Sequence, residues 1–226
     1  MSKVYASMLN ADMSKIGQEL EKVIKSGIEG LHFDFINSST YSNQSHFTPS
    51  YVAKVVQAVR KYRPGYETIE AHIISSDPDK LITEYKDAGV SRIMLQYDSF
   101  TNKTDLLGLL RRIRQESPKL KAGVSFATPS SAKSVDFNTI TSSDYFIILG
   151  SSPGADLTPL MPSTYGALLH LMTMKRKFNP SLELGIEGGV TVENSKKLKG
   201  SGSEILILGK AFFMSRDYEA FVKSIK

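Results

Sequence analysis

Apolar residues recur along this chain in two rhythms. Short apolar runs with β-branched and aromatic residues read as strands over Val4–Leu9, Gly30–Phe35, Glu67–Ile74, Arg92–Gln96, Lys121–Phe126, Tyr145–Leu149, Leu182–Glu187 and Glu204–Leu208. Between them the spacing becomes helical over Met13–Lys25, Ser50–Tyr62, Pro78–Ala88, Thr104–Ser117, Pro162–Lys177, Val192–Lys199 and Arg216–Ser224, with a shorter helix near Pro129–Ser134. Asp12, Asp77-Pro78 and Thr191 supply start signals for three of them. Eight strands alternating with eight helices predict an α/β fold, a closed (β/α)8 TIM barrel. An open doubly wound sheet competes, but it rarely uses eight such regular units. No Gly/Pro/Ser-rich linker divides the chain, so residues 1–226 are expected to form one barrel domain. The richest loop, Ser151–Pro162, falls after strand six, on the rim where such barrels keep their chemistry.

Composition narrows the chemistry. Of 226 residues, 41% are hydrophobic and 23% charged, so the chain is expected to bury a full core without staples. Cysteine is absent, which excludes thiolate metal sites, thiol nucleophiles and disulfide frameworks. No apolar run is long enough for a membrane span, and Met1–Tyr5 lacks an export leader's apolar core, so a cytoplasmic location is expected. The formal charge of +5 is scattered over separate helices rather than gathered with stacking aromatics. That pattern speaks against nucleic acid and suits a small anionic partner such as a sugar phosphate.

In a barrel of this kind the C-terminal strand ends carry function. Side chains alternate along a strand, so His32 and Asp34 share one face while Phe33 and Phe35 pack outward. The same parity turns His72 inward on strand three and Glu187 inward at the end of strand seven. Two imidazoles and two carboxylates then converge on the mouth. Buried together they need partners: either a hydrogen-bonded network or one divalent cation, for which an N2O2 donor set suits zinc, iron, manganese or cobalt. A second constellation suits phosphate. Gly188-Gly189 after strand seven and Gly209-Lys210 after strand eight allow backbone amides to approach an anion, with Lys210 able to add its charge.

These residues resemble the ribulose-phosphate 3-epimerase family, collinearly over the whole chain. Ala6-Ser7-Met8-Leu9-Asn10-Ala11-Asp12-Met13 is similar to that family's Pro-Ser-Ile-Leu-Ser-Ala-Asp-Phe. His32-Phe33-Asp34 matches its His-x-Asp, and Ala71-His72-Ile73 with Asp77-Pro78-Asp79 matches His-Leu-Met and the following Glu-Pro-Asp. Ser152-Pro153-Gly154 matches Asn-Pro-Gly, Glu187-Gly188-Gly189-Val190 stands for Asp-Gly-Gly-Val, and Gly209-Lys210-Ala211-Phe212 for Gly-Ser-Ala-Ile/Val-Phe.

The resemblance implies a ribulose-phosphate-binding barrel. It also implies an isomerase that inverts C3 of a ketose phosphate through an enediolate: ribulose 5-phosphate, or a hexulose 6-phosphate such as allulose 6-phosphate. Asp34 and Glu187 are implied as the acid–base pair, and His32, Asp34, His72 and Glu187 as ligands of one divalent ion. Ser7, His72 and Gly154 are implied as substrate contacts, with Gly188, Gly189, Gly209 and Lys210 around the phosphate. Relatives often assemble, which leaves a homo-oligomer open. The differences fall at the site: Ile36-Asn37-Ser38 for Met-Asp-Gly, Ile74 and Leu149 for two methionines, and Gly154–Thr158 for a Gly-Phe-Gly-Gly-Gln lid. Glutamate replaces aspartate at position 187, and flanking Gly185 and Gly188 are expected to give it room. The alternative these differences raise is a sugar-phosphate-binding barrel with lost or altered catalysis. A related decarboxylase would carry Asp-x-Lys-x-x-Asp, which this sequence lacks.

Overall fold

Parallel strands pair in an unbroken ring in a computed structural model that describes residues 2–37, 45–151 and 159–226. The barrel strands are β1 (Lys3–Ser7), β2 (Gly30–Asn37), β3 (Ile69–Ser75), β4 (Arg92–Gln96), β5 (Lys121–Phe126), β6 (Tyr145–Leu149), β7 (Glu183–Glu187) and β8 (Ile205–Leu208). Each pairs with the next. The ring closes through β1, which pairs β8 on one side (Tyr5 opposite Ile207) and β2 on the other (Ser7 opposite His32). This is the expected (β/α)8 barrel. A two-residue strand, Ser45–His46, adds an antiparallel pairing to Phe35 and Ile36 that the sequence pattern did not announce.

Helices α1 (Ile16–Lys25), α2 (Pro49–Tyr62), α3 (Asp79–Asp87) and α4 (Lys103–Glu116) follow the first four strands. Then come α5 (Pro129–Lys133), α6 (Phe137–Ser142), α7 (Ser163–Phe178), α8 (Val192–Gly200), α9 (Lys210–Phe213) and α10 (Tyr218–Ile225). Their starts are chemically marked. Thr128 and Thr191 each accept from the N3 backbone N–H while the N3 side chain bonds back, closing a capping box at α5 and α8. Other segments depart from the sequence reading as well. The first strand stops at Ser7, and Met8–Asn10 tightens into a 3-10 turn in which Ala11 N–H bonds to Met8 O at 3.1 Å. Asp136 caps α6, whose Thr139 and Ile140 are buried. Lys210 opens α9, a single helical turn that is not among the helices read from the sequence period.

The period-2 alternation of each strand sorts its residues into two cores. Outward residues such as Phe33, Ile73, Val124, Phe146 and Leu206 join one large cluster with the helices. Inward residues Tyr5, Met94, Tyr145, Ile147, Ile205 and Ile207 fill the barrel itself. Above this apolar plug, on the C-terminal side, lie the polar residues of β1, β2, β3 and β7. No helix among the described residues is long and apolar enough to cross a membrane.

Candidate active site

Strand register brings the four expected residues together. His32 stands beside Ser7 of β1, and Asp34 stands beside His72 of β3. Glu187, paired with Leu149 of β6, ends β7. One ligand atom from each of His32, Asp34, His72 and Glu187 falls within 4.8 Å of the others. His32 Nε2 and His72 Nδ1 both lie 3.0 Å from Asp34 Oδ1, and Glu187 Oε1 lies 3.4 Å from His32 Nε2. Ser7 Oγ donates to Asp34 Oδ2 at 3.2 Å, which fixes the carboxylate's second oxygen.

The electrostatics separate the two carboxylates. Burial alone would raise Asp34, but the charge on His32 and hydrogen bonds from both imidazoles outweigh it and hold the group far below the usual carboxylate range. Glu187 is pushed up to about 7, chiefly by burial; Asp34 pushes the same way, against the opposing imidazoles. Burial disfavours protonation of His32, yet Glu187 and Asp34, with hydrogen bonds to Asp34 and Glu70, raise it well above its ordinary value. Like charges this close keep different proton affinities, which is what an acid and a base in one site require.

The glycines on either side of Glu187 do not provide the expected room. A Cβ at Gly185 would lie 2.6 Å from Ile147 Cδ1 and 2.7 Å from Ile205 Cβ, so that space is already core. Gly188 and Gly189 take φ of +79° and +69°, a left-handed turn that L side chains resist. Asn194 Nδ2 donates to Gly189 O at 2.7 Å and ties this turn to the start of α8. Gly209 follows β8, which neighbours β7 in the sheet, and leads into half-buried Lys210 on the same rim. Gly154, with Ser152 and Pro153, lies outside the described residues, as do residues 41–44. Ile74 and Leu149 are both buried.

Two residues beside the site escaped the sequence reading. Glu70 Oε1 lies 2.8 Å from His32 Nδ1, and Gln96 Oε1 lies 3.0 Å from His72 Nε2. Parity was the available signal: Glu70 is two residues before His72, and Gln96 two after Met94, so both face into the barrel.

The donor set fits a divalent cation. Two imidazoles and two carboxylates offer nitrogen and oxygen to one centre, and Glu187 Oε2 is buried with no hydrogen-bond partner among the described residues. A cation would neutralise carboxylates that otherwise crowd each other out of water.

Barrel and site together define a class, the (β/α)8 enzymes with polar chemistry at the C-terminal strand ends. Solved structures share the fold at low identity. KGPDC from Streptococcus mutans superposes with a TM-score of 0.66 at 12% identity, covering 100% of this chain and 95% of that one. A 3-hexulose-6-phosphate synthase gives 0.63 at 15%, covering 100% and 98%. In sequence, the chain is 25% identical over 228 residues to a ribulose-phosphate 3-epimerase from Aquifex aeolicus, covering 100% of this chain and 96% of that protein. The corresponding Escherichia coli K12 protein is 23% identical, with 97% and 92% covered. The sequence profile of the ribulose-phosphate 3 epimerase family matches residues 3–213. The chain belongs to that family and is an isomerase of its type.

Proposed function

We propose that this protein catalyses metal-dependent 3-epimerisation of a ketose phosphate, either ribulose 5-phosphate to xylulose 5-phosphate or a hexulose 6-phosphate such as allulose 6-phosphate. The carrying observation is the convergence of His32, Asp34, His72 and Glu187 within 4.8 Å at the mouth of a barrel of this family. Inverting a carbon beside a ketone needs a proton-transfer group on each of its faces. Asp34 and Glu187 come from β2 and β7, strands separated by β1 and β8, and so approach from different sides. One takes the C3 proton and the other delivers a proton to the opposite face. Ser7 orients Asp34 through its hydrogen bond and would meet a substrate hydroxyl. The amides of Gly188, Gly189 and Gly209, with Lys210, would hold the phosphate and fix C3 over the carboxylates.

His32, Asp34, His72 and Glu187 are the residues that would hold the cation. When bound, it supplies a Lewis acid for the negative charge that gathers on the substrate oxygens.

An epimerisation assay on ribulose 5-phosphate in deuterated water, with metal analysis of the same protein, tests this reading. We expect one bound divalent ion, conversion to xylulose 5-phosphate, deuterium at C3, and loss of activity after chelation that the added metal restores. Sugar-phosphate binding without exchange at C3 would overturn it in favour of a binding barrel.

A further inference from the structure

Each imidazole of the site turns one ring nitrogen toward the carboxylates and the other into the surrounding protein. The partner of that second nitrogen decides which one carries a proton. For His32 the partner is Glu70, whose Oε1 lies 2.8 Å from Nδ1. Glu70 is fully buried, and its Oε2 accepts from Arg92 Nε at 3.0 Å. Arg92 is itself pinned: its guanidinium lies 3.7 Å from the Tyr145 ring centre, and Nη1 donates to Glu183 Oε2 at 2.9 Å. A carboxylate paired to arginine only accepts, so Nδ1 of His32 is the donor.

His72 shows the reverse arrangement. Its Nε2 lies 3.0 Å from Gln96 Oε1. An amide can turn either end to an imidazole, and here Asp98 removes the choice. Gln96 Nε2 donates to Asp98 Oδ2 at 3.1 Å, and that oxygen also accepts from Ala127 N–H at 2.7 Å. Since the carboxylate of Asp98 offers acceptors, the amide nitrogen belongs to it and the amide oxygen belongs to His72. His72 therefore carries its proton on Nε2.

We propose that Glu70 and Gln96 are positioning residues that hold the two imidazoles in opposite tautomers, leaving His32 Nε2 and His72 Nδ1 as paired donors to one cation. These two nitrogens lie 3.0 Å from Asp34 Oδ1, and the proton either one directs at that carboxylate in the metal-free protein is the one the cation displaces on binding. Arg92 and Asp98 act one step further out by fixing the acceptors. This proposal rests on the metal site of the proposed function. Partners of this kind commonly govern metal affinity by 10–100-fold, because a ring that must rotate or change tautomer binds at a cost.

Two measurements on the full chain test it. Long-range 1H–15N NMR of the metal-free protein reads the ring protons directly; we expect one on His32 Nδ1 and one on His72 Nε2. Calorimetric zinc titration of Glu70→Gln and Gln96→Leu should show affinity weakened about 10–100-fold. In Glu70→Gln the amide cannot accept from both His32 and Arg92, and Gln96→Leu removes the acceptor for His72. An unprotonated His32 Nδ1 or His72 Nε2 overturns the proposal, and so do folded variants that bind zinc within about twofold of the parent, a factor worth only about 0.4 kcal/mol. If loss of the Arg92 partner unfolds Glu70→Gln, Gln96→Leu decides alone. A parent protein that binds no zinc, manganese or cobalt would refute the metal site itself, and the NMR result would still decide the positioning.

Discussion

Glutamate at position 187 extends one methylene beyond the aspartate of the family motif, in a site where proton transfer tolerates about 1 Å of misplacement at a cost near a hundredfold. Packing at Gly185 shows that the strand beneath has not been hollowed out to let this side chain retreat. The extra length is instead directed toward His32, 3.4 Å away. Glu187→Gln should therefore abolish epimerisation while leaving phosphate-ester binding intact, and Glu187→Asp should lower kcat about 10–100-fold by drawing the carboxylate back. Steady-state kinetics with calorimetric binding of a non-reactive sugar phosphate separate these effects. A tenfold faster Glu187→Asp enzyme would mean the native geometry is not set for this reaction. Parity made His32, Asp34, His72 and Glu187 legible in the sequence. It could not show that Gly185 was already packed, because the atoms filling that space, from Ile147 and Ile205, lie on neighbouring strands.

Strands and helices divide the work: strands position the site and helices cover them. Within the barrel, the fit between adjacent strands leaves little spare volume. A Cβ at Gly123 would run into the ring of Tyr145, and one at Gly185 would also come within 2.8 Å of the backbone oxygen of Ile205. Backbone cannot yield as a side chain tip can. Gly185→Ala is thus expected to cost about 1–3 kcal/mol, the usual range for overpacking. In a domain of this size that lowers Tm by roughly 2–4 °C per kcal/mol. Thermal melts check it, and a Tm within about 1 °C of the parent would show that the β6–β7–β8 contact is looser than described. Among the elements that sequence periodicity missed are the short helices α6 and α9. Phe137–Ser142 has β-branched residues and few helix formers, and it is helical because Asp136 caps it and Ile140 is buried. A single turn gives periodicity too few residues to register.

At the scale of the molecule, a charged floor under the site joins strands on different sides of the barrel. Glu183 of β7 pairs with Arg92 of β4, Lys3 of β1 and Lys121 of β5. Burial would raise the Glu183 carboxyl, but the hydrogen bond from Lys3 and the charge of Arg92 bring it down to about 2 from 4.5. A carboxylate with a depressed folded-state pKa contributes stability that is complete above its unfolded value and is lost as pH falls toward the folded value. The parent should accordingly lose stability as pH falls from about 4.5 toward 2. Glu183→Gln should lower Tm at neutral pH and flatten that acid limb. Circular-dichroism melts across pH 2–7 compare the two, and parallel curves would mean Glu183 does not carry this dependence.

The sequence by itself determined the alternation of strands and helices, the face on which each strand presents its polar residues, and the match to the epimerase motifs. Those properties follow from local periodicity and from residue identity at fixed spacing. Only the tertiary structure decided that β1 closes the ring between β8 and β2, and that Glu70 meets His32 across 38 positions and Arg92 meets Glu183 across 91. A period of two fixes which side of a strand a residue occupies, but register and neighbour are settled by how all eight strands pack around one axis. The four-residue centre could be anticipated from single strands, whereas the partners that orient its imidazoles exist only between strands.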